Sequence, residues 1–125
     1  MPEKFDTKSP IYTQLIERIK NAIANGQYNA GEKMPSVRDL AVYYGVNPNT
    51  LQRALSKLED MGLLYTERTA GRYVTSDTSL IESLKQELPN KIIQKFVNDM
   101  VHIGIQEKDI PKRLDQFLNL RKDNT

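Results

Sequence analysis

The stretch PSVRDLAVYYGVNPNTLQRALSKLEDMGLLYTERTAGRYVT, from Pro35 to Thr75, decides the fold. Ser36 and Asp39 have the S-x-x-D spacing of a capping box, so a helix opens there, with Val37, Leu40, Ala41 and Tyr44 on its inner face. Gly45 follows and can take the positive φ of a tight inter-helix turn. Asn47-Pro48 restarts a helix, with asparagine as cap and proline at the first helical position. In that helix Leu51, Ala54, Leu55 and Leu58 share one face, and Gly62 ends it. Leu63 to Glu67 and Arg72 to Thr75 then read as two short strands joined through Thr69-Ala70-Gly71. Helix, glycine turn, helix and hairpin in this order predict a helix-turn-helix with a wing.

On a wheel of about 100° per residue, the leucine face of 47–61 leaves Asn49, Arg53 and Ser56 opposite it, with Gln52 and Lys57 on the flanks. Arginine forks onto guanine, asparagine and glutamine pair with adenine, and hydroxyls serve either base or phosphate. In helix-turn-helix docking the N-terminal residues of the second helix face the major groove, which places Asn47, Asn49, Thr50, Gln52 and Arg53 there. Arg38, in the first turn of the preceding helix, is placed for the sugar-phosphate backbone. Arg68 and Arg72 flank the wing tip, where Gly71 allows close backbone approach. Such cations matter because phosphate contacts dominate affinity for duplex DNA.

Outward from this centre, residues 1–8 read as a flexible polar arm. A first helix is predicted from Ser9-Pro10, serine as cap, with Tyr12, Leu15, Ile16, Ile19 and Ile23 as its stripe and Asn25-Gly26 as its end. Lys33-Met34, in the turn-rich connection, is able to pair as an edge strand. Beyond Ser76 a capping box at Ser79–Glu82 opens a long helical pattern through Leu84, Leu88, Ile92, Ile93, Phe96, Val97 and Met100. Pro89 inside it predicts either a kink or two abutting helices. Gly104 is the predicted stop. A last helix opens near Asp109, with Pro111 in its first turn, Ile110, Leu114, Phe117 and Leu118 as its stripe, and a fraying tail RKDNT.

The 125 residues fit one ordinary domain or a small domain with a helical appendage. No apolar run approaches the roughly 18 residues of a membrane span, and the N-terminus lacks a secretory pattern, so a cytoplasmic location is expected. Zero cysteines exclude disulfides and thiolate metal sites. Net charge is +2, too mild by itself to imply nucleic-acid binding, so any such binding depends on where the charges sit. His102 is the only histidine, and no nucleophile motif or phosphate loop appears. No enzyme activity, metal or cofactor is expected. Tyr43 is the tyrosine expected to sit outward.

PSVRDLA, GVNPNTLQRALSKLEDMGLL and the glycine-containing wing ending in YVT resemble the winged helix-turn-helix of GntR-type bacterial transcription regulators. PIYTQLIERIKNAIANGQYNAGEKMPS matches that family's first helix and connector, so the resemblance covers about residues 10–76. It implies that Arg38, the segment Asn49 to Arg53, and Gly71 contact DNA. Some family members carry arginine where this chain has Pro48 and Gln52, so their base preferences do not transfer.

The short tail resembles the YtrA-like subfamily, which implies that its helices mediate dimerisation. The residues agree. The apolar stripe on 80–100 is broad, and what does not pack on the winged domain or the last helix needs a second subunit.

The expected protein is therefore mainly α (α+β). An arm (1–8) precedes a winged helix-turn-helix domain (9–76) and a two- or three-helix dimerisation segment (77–125). Leu84, Leu88, Ile92, Ile93, Phe96, Val97, Met100, Leu114, Phe117 and Leu118 are the expected dimer residues. The expected function is that of a homodimeric repressor on a palindromic operator, with room for a small-molecule effector. The alternative is a winged-helix protein-interaction module without DNA binding. The polar character of Asn49, Gln52, Arg53 and Ser56 argues against it, because interface cores favour aromatic and aliphatic anchors.

Overall fold

The first helix, α1 (Ile11–Ala24), starts one residue later than Ser9-Pro10 suggests. Pro10 is its N-cap and no side chain caps it; the Pro10 carbonyl takes the amides of Thr13 and Gln14. Ser9 instead offers its carbonyl to Gln14 Nε2 at 2.8 Å. The structure, a computed structural model, describes residues 4–123. The expected flexible arm falls partly outside that range, and its described part is tied down. Asp6 and Gln14 exchange two hydrogen bonds, and Arg18 donates to the Lys4 carbonyl while its guanidinium lies 4.0 Å over the Phe5 ring. Polarity alone read as looseness; Gln14 and Arg18, both on α1, supply the partners that composition cannot show.

Helices α2 (Val37–Tyr44) and α3 (Pro48–Asp60) form where their caps place them. Ser36 Oγ accepts the Asp39 amide at 3.0 Å, and Asn47 Oδ1 accepts the Asn49 amide at 2.8 Å. Gly45 between them sits at φ 67°, ψ 40°, a left-handed conformation that costs a β-carbon-bearing residue about 1–2 kcal/mol. Its turn closes with Val46 N–H on the Ala41 carbonyl and Gly45 N–H on Val42. Leu15 and Ile19 of α1, Leu40 of α2, and Leu51, Ala54, Leu55 and Leu58 of α3 are all fully or almost fully buried. Each large apolar side chain removed from water in this way contributes about 1.5–3 kcal/mol. The hydroxyls of Tyr28 and Tyr44 meet at 3.4 Å in the same core, and burial raises the pKa of both.

Strands β1 (Leu64–Glu67) and β2 (Gly71–Val74) pair antiparallel, with Leu64 opposite Val74 and Glu67 opposite Gly71. The turn is therefore Arg68-Thr69-Ala70, and Gly71, expected in the loop, opens the second strand at φ 103°. On its other edge β2 meets the connector. Lys33 bridges Tyr73, Met34 N–H reaches the Arg72 carbonyl at 2.8 Å, and Val74 N–H reaches Glu32 at 2.9 Å. The pairing expected of Lys33-Met34 thus makes β2 the middle of a small three-part sheet.

Helix α4 (Thr78–His102) is capped by Asp77, whose Oδ1 accepts the amides of Ser79 and Leu80; Ser79, two residues on, already lies inside the first turn. Pro89 lies inside this single helical segment and denies the Lys85 carbonyl its helical amide. The chain divides into two compact units between Gln86 and Glu87, in that same turn. In the second unit, Ile105 N–H on Met100 and Gly104 N–H on Val101 close α4. A 3-10 turn (Glu107–Asp109) leads into α5 (Ile110–Asp123), which carries Arg121 and Lys122 in regular helix where fraying was expected. Asn124 and Thr125 lie outside the described residues.

Candidate nucleic-acid interface

Helix α3 presents two chemically opposed faces. Its leucine face is fully buried, which fixes the rotation of the helix, while Asn49, Gln52, Arg53, Ser56 and Lys57 are exposed and Thr50 is half-buried. Asn47 uses its side-chain oxygen as the cap. Arg53 does not wave in solvent: its guanidinium stacks 4.0 Å above the ring of Tyr12 on α1. Stacking a planar cation on an aromatic face restrains its orientation and leaves the fork edge available. Tyr12 was read as part of the α1 core stripe, and nothing in its spacing marks this role.

Arg38 is exposed in the first turn of α2, and Arg68 is exposed in the wing turn. An open groove is lined by Lys33, Pro35, Ser36, Thr66, Gly71 and Arg72. Arg72 is held differently from Arg68. Its Nε donates to Glu59 Oε1 at 2.9 Å, and its side chain is 15% exposed. Thr66, directly across the strand pair from Arg72, donates to the same carboxylate oxygen. Burial opposes ionisation of Glu59, but the bonds from Thr66 and Arg72, together with the Arg72 charge, outweigh it and hold the carboxyl below its ordinary value. The result is a charge-assisted clamp joining the end of α3 to the wing. Glu59 and Thr66 were missed in the sequence because the clamp spans separate elements and follows no local period.

On the other face of the wing Tyr65 and Tyr73 stack with centroids 5.7 Å apart. Tyr43 is half exposed and sets its edge against Tyr44. Among the described residues no group of three or more His, Cys, Asp or Glu side chains is arranged to hold a metal ion. No helix among them is long and apolar enough to cross a membrane.

In the second unit the apolar stripe is not covered within the chain. Ile92 is 68% exposed and Phe117 56%, and Ile93, Leu114 and Leu118 are exposed with them. Phe96, Val97 and Met100 are half-buried. Leu84 and Leu88, expected on the same stripe, are buried inside the chain and are not on this open face.

Residues 11–74 match the family model described as "Bacterial regulatory proteins, gntR family". The chain is 32% identical over 102 residues to the HTH-type transcriptional repressor YtrA of Bacillus subtilis, covering 80% of this chain and 78% of that protein. A solved GntR family transcriptional regulator from Listeria monocytogenes superposes with a TM-score of 0.80 at 38% identity, over 90% of this chain and 98% of the other. AraR(DBD), solved in complex with operator ORR3, aligns with a TM-score of 0.52 at 29% identity, over 60% of this chain and 90% of that one. These are regulators, not enzymes. The winged helix-turn-helix and these likenesses place the chain in the gntR family of bacterial regulatory proteins, as a DNA-binding transcriptional regulator.

Proposed function

We propose that this regulator is a homodimeric repressor that grips a palindromic operator. The observation that carries the reading is the exposed polar face of α3, fixed in rotation by the buried leucines behind it and led by an arginine seated on Tyr12. Inserted in the major groove, that face sets Asn49, Gln52 and Arg53 against base edges, while Arg38, Lys57 and Arg68 meet phosphates. Repression is supported by the likeness to YtrA, itself named a repressor.

Dimerisation is supported by the large apolar side chains that α4 and α5 leave exposed, Ile92, Ile93, Leu114, Phe117 and Leu118, since exposed apolar surface on this scale marks an interaction site. A twofold axis repeats the reading helix and so calls for a palindromic operator, with half-sites expected about one DNA turn (roughly 34–36 Å) or a multiple of it apart. Action on DNA supports a cytoplasmic location.

The test is a mobility shift on the DNA upstream of its own coding sequence. Arg53→Ala loses a base contact worth about 1–3 kcal/mol, roughly a 5- to 150-fold weakening that is concentrated on the preferred sequence. Arg38→Ala weakens all sequences alike and lowers the salt dependence. Binding that neither variant changes would overturn the interface.

A further inference from the structure

Arg72 and Lys33 exchange the roles that their positions in the chain suggest. Arg72 is adjacent to the wing turn, yet it lies on the strand face turned toward α3 and gives its Nε to Glu59. Lys33 is far from the turn in sequence, yet it bridges Tyr73 across the outer edge of β2.

Residues paired across strands share a face, and so do residues two apart along one strand. Lys33, Tyr73 and Gly71 therefore lie on one side of the sheet, and Arg72 lies on the other. The side chain of Lys33 runs from the level of Tyr73 toward the turn. A β-carbon placed on Gly71 would stand 3.3 Å from Lys33 Cε, so the end of the lysine stem crosses the glycine. Two residues of strand measure about 6.6 Å, within the reach of a lysine side chain. Gly71 thus has a second reason to lack a side chain, beyond its positive φ: it is where Lys33 passes. Glu67 is the strand partner of Gly71, and no ion pair joins it to Lys33.

We infer that Lys33 is a phosphate-binding residue of the wing, delivered to the tip across Gly71 beside Arg68, and that Arg72 is a structural residue that binds no phosphate. The inference rests on the proposed interface, and it moves one of the wing's two cations from β2 to the connector before α2.

The experiment measures the dissociation constant of the full chain as a function of salt, on duplex DNA carrying its own upstream region and on a random duplex. Each phosphate contact contributes about 0.9 to the slope of log affinity against log salt. Lys33→Gln keeps most of the stem and removes the charge. It is expected to lower the slope by about 0.9 on both duplexes with no change in melting temperature, and Lys33→Arg restores the slope. An unchanged slope in Lys33→Gln overturns the assignment. If Arg38→Ala and Arg53→Ala behave as expected in the same assay, that failure belongs to Lys33 alone. If neither has any effect, the interface falls and the assignment with it. Arg72→Gln removes the charge while keeping a hydrogen-bond donor for Glu59, and it is expected to lower the melting temperature yet hold the slope, measured well below the melt, at the parent value. A fall of about 0.9 in that slope would return Arg72 to the phosphate and refute the exchange.

Discussion

Replacing Glu59 by glutamine removes the charge that Arg72 and Thr66 bind while keeping the side chain's shape. Exposed ion pairs contribute about 0–1 kcal/mol, whereas breaking a fully buried pair costs about 3–5 kcal/mol. With Arg72 at 15% and Glu59 at 29% side-chain exposure, the clamp lies between these limits. Solvent screening moves it toward the lower one, to about 1–2 kcal/mol.

At this chain length each kcal/mol shifts the melting temperature by about 4 °C, so Glu59→Gln is expected to melt about 4–8 °C below the parent at neutral pH. The pH dependence has a definite sign. The folded carboxyl titrates below the ordinary value of 4.5, so the unfolded chain takes up the proton first as pH falls. The stabilisation is therefore full above that value and is lost as pH drops through the folded pKa. Circular-dichroism melts of parent and variant, stepped from about pH 7 to about pH 3, should show a gap that is constant in the neutral range and closes in acid. A gap that is absent at neutral pH, or that persists unchanged into acid, would refute the clamp.

Two other outcomes follow from the same geometry. Gly45→Ala meets no neighbouring atom within 4 Å, so its cost is purely conformational, about 1–2 kcal/mol in urea unfolding, and Gly45→Asn costs less because asparagine tolerates the left-handed region. Equal stability of all three would mean the turn is not held at positive φ. Phe117→Glu, at a position 56% exposed in the single chain, should leave the fold intact and shift the mass in sedimentation equilibrium from dimer to monomer. An unchanged mass would remove α5 from the interface.

The elements of the winged part were legible because their signals are local. Ser36, Gly45 and Asn47 act on amides and carbonyls within a few residues, and each occupies the role its spacing suggested. Where local signals competed, proximity decided. Asp77 took the capping role expected of Ser79, and Pro10 took the end of α1 from Ser9. The apolar period of the tail marked a helix, but period cannot say which part a chain buries itself: Leu84 and Leu88 are buried while Ile92 and Ile93 stay exposed.

The sequence by itself determined which segments are helices, where they turn, and which face of α3 is polar, because caps, glycine and a 3.6-residue period act over short distances. The tertiary structure decided which cations face outward. Alternation along a strand assigns neighbours to opposite faces, and a slip of one residue reverses every assignment. The β1–β2 register sends Arg72 to Glu59, and pairing between residues 33 and 73, far apart in the chain, brings Lys33 across Gly71.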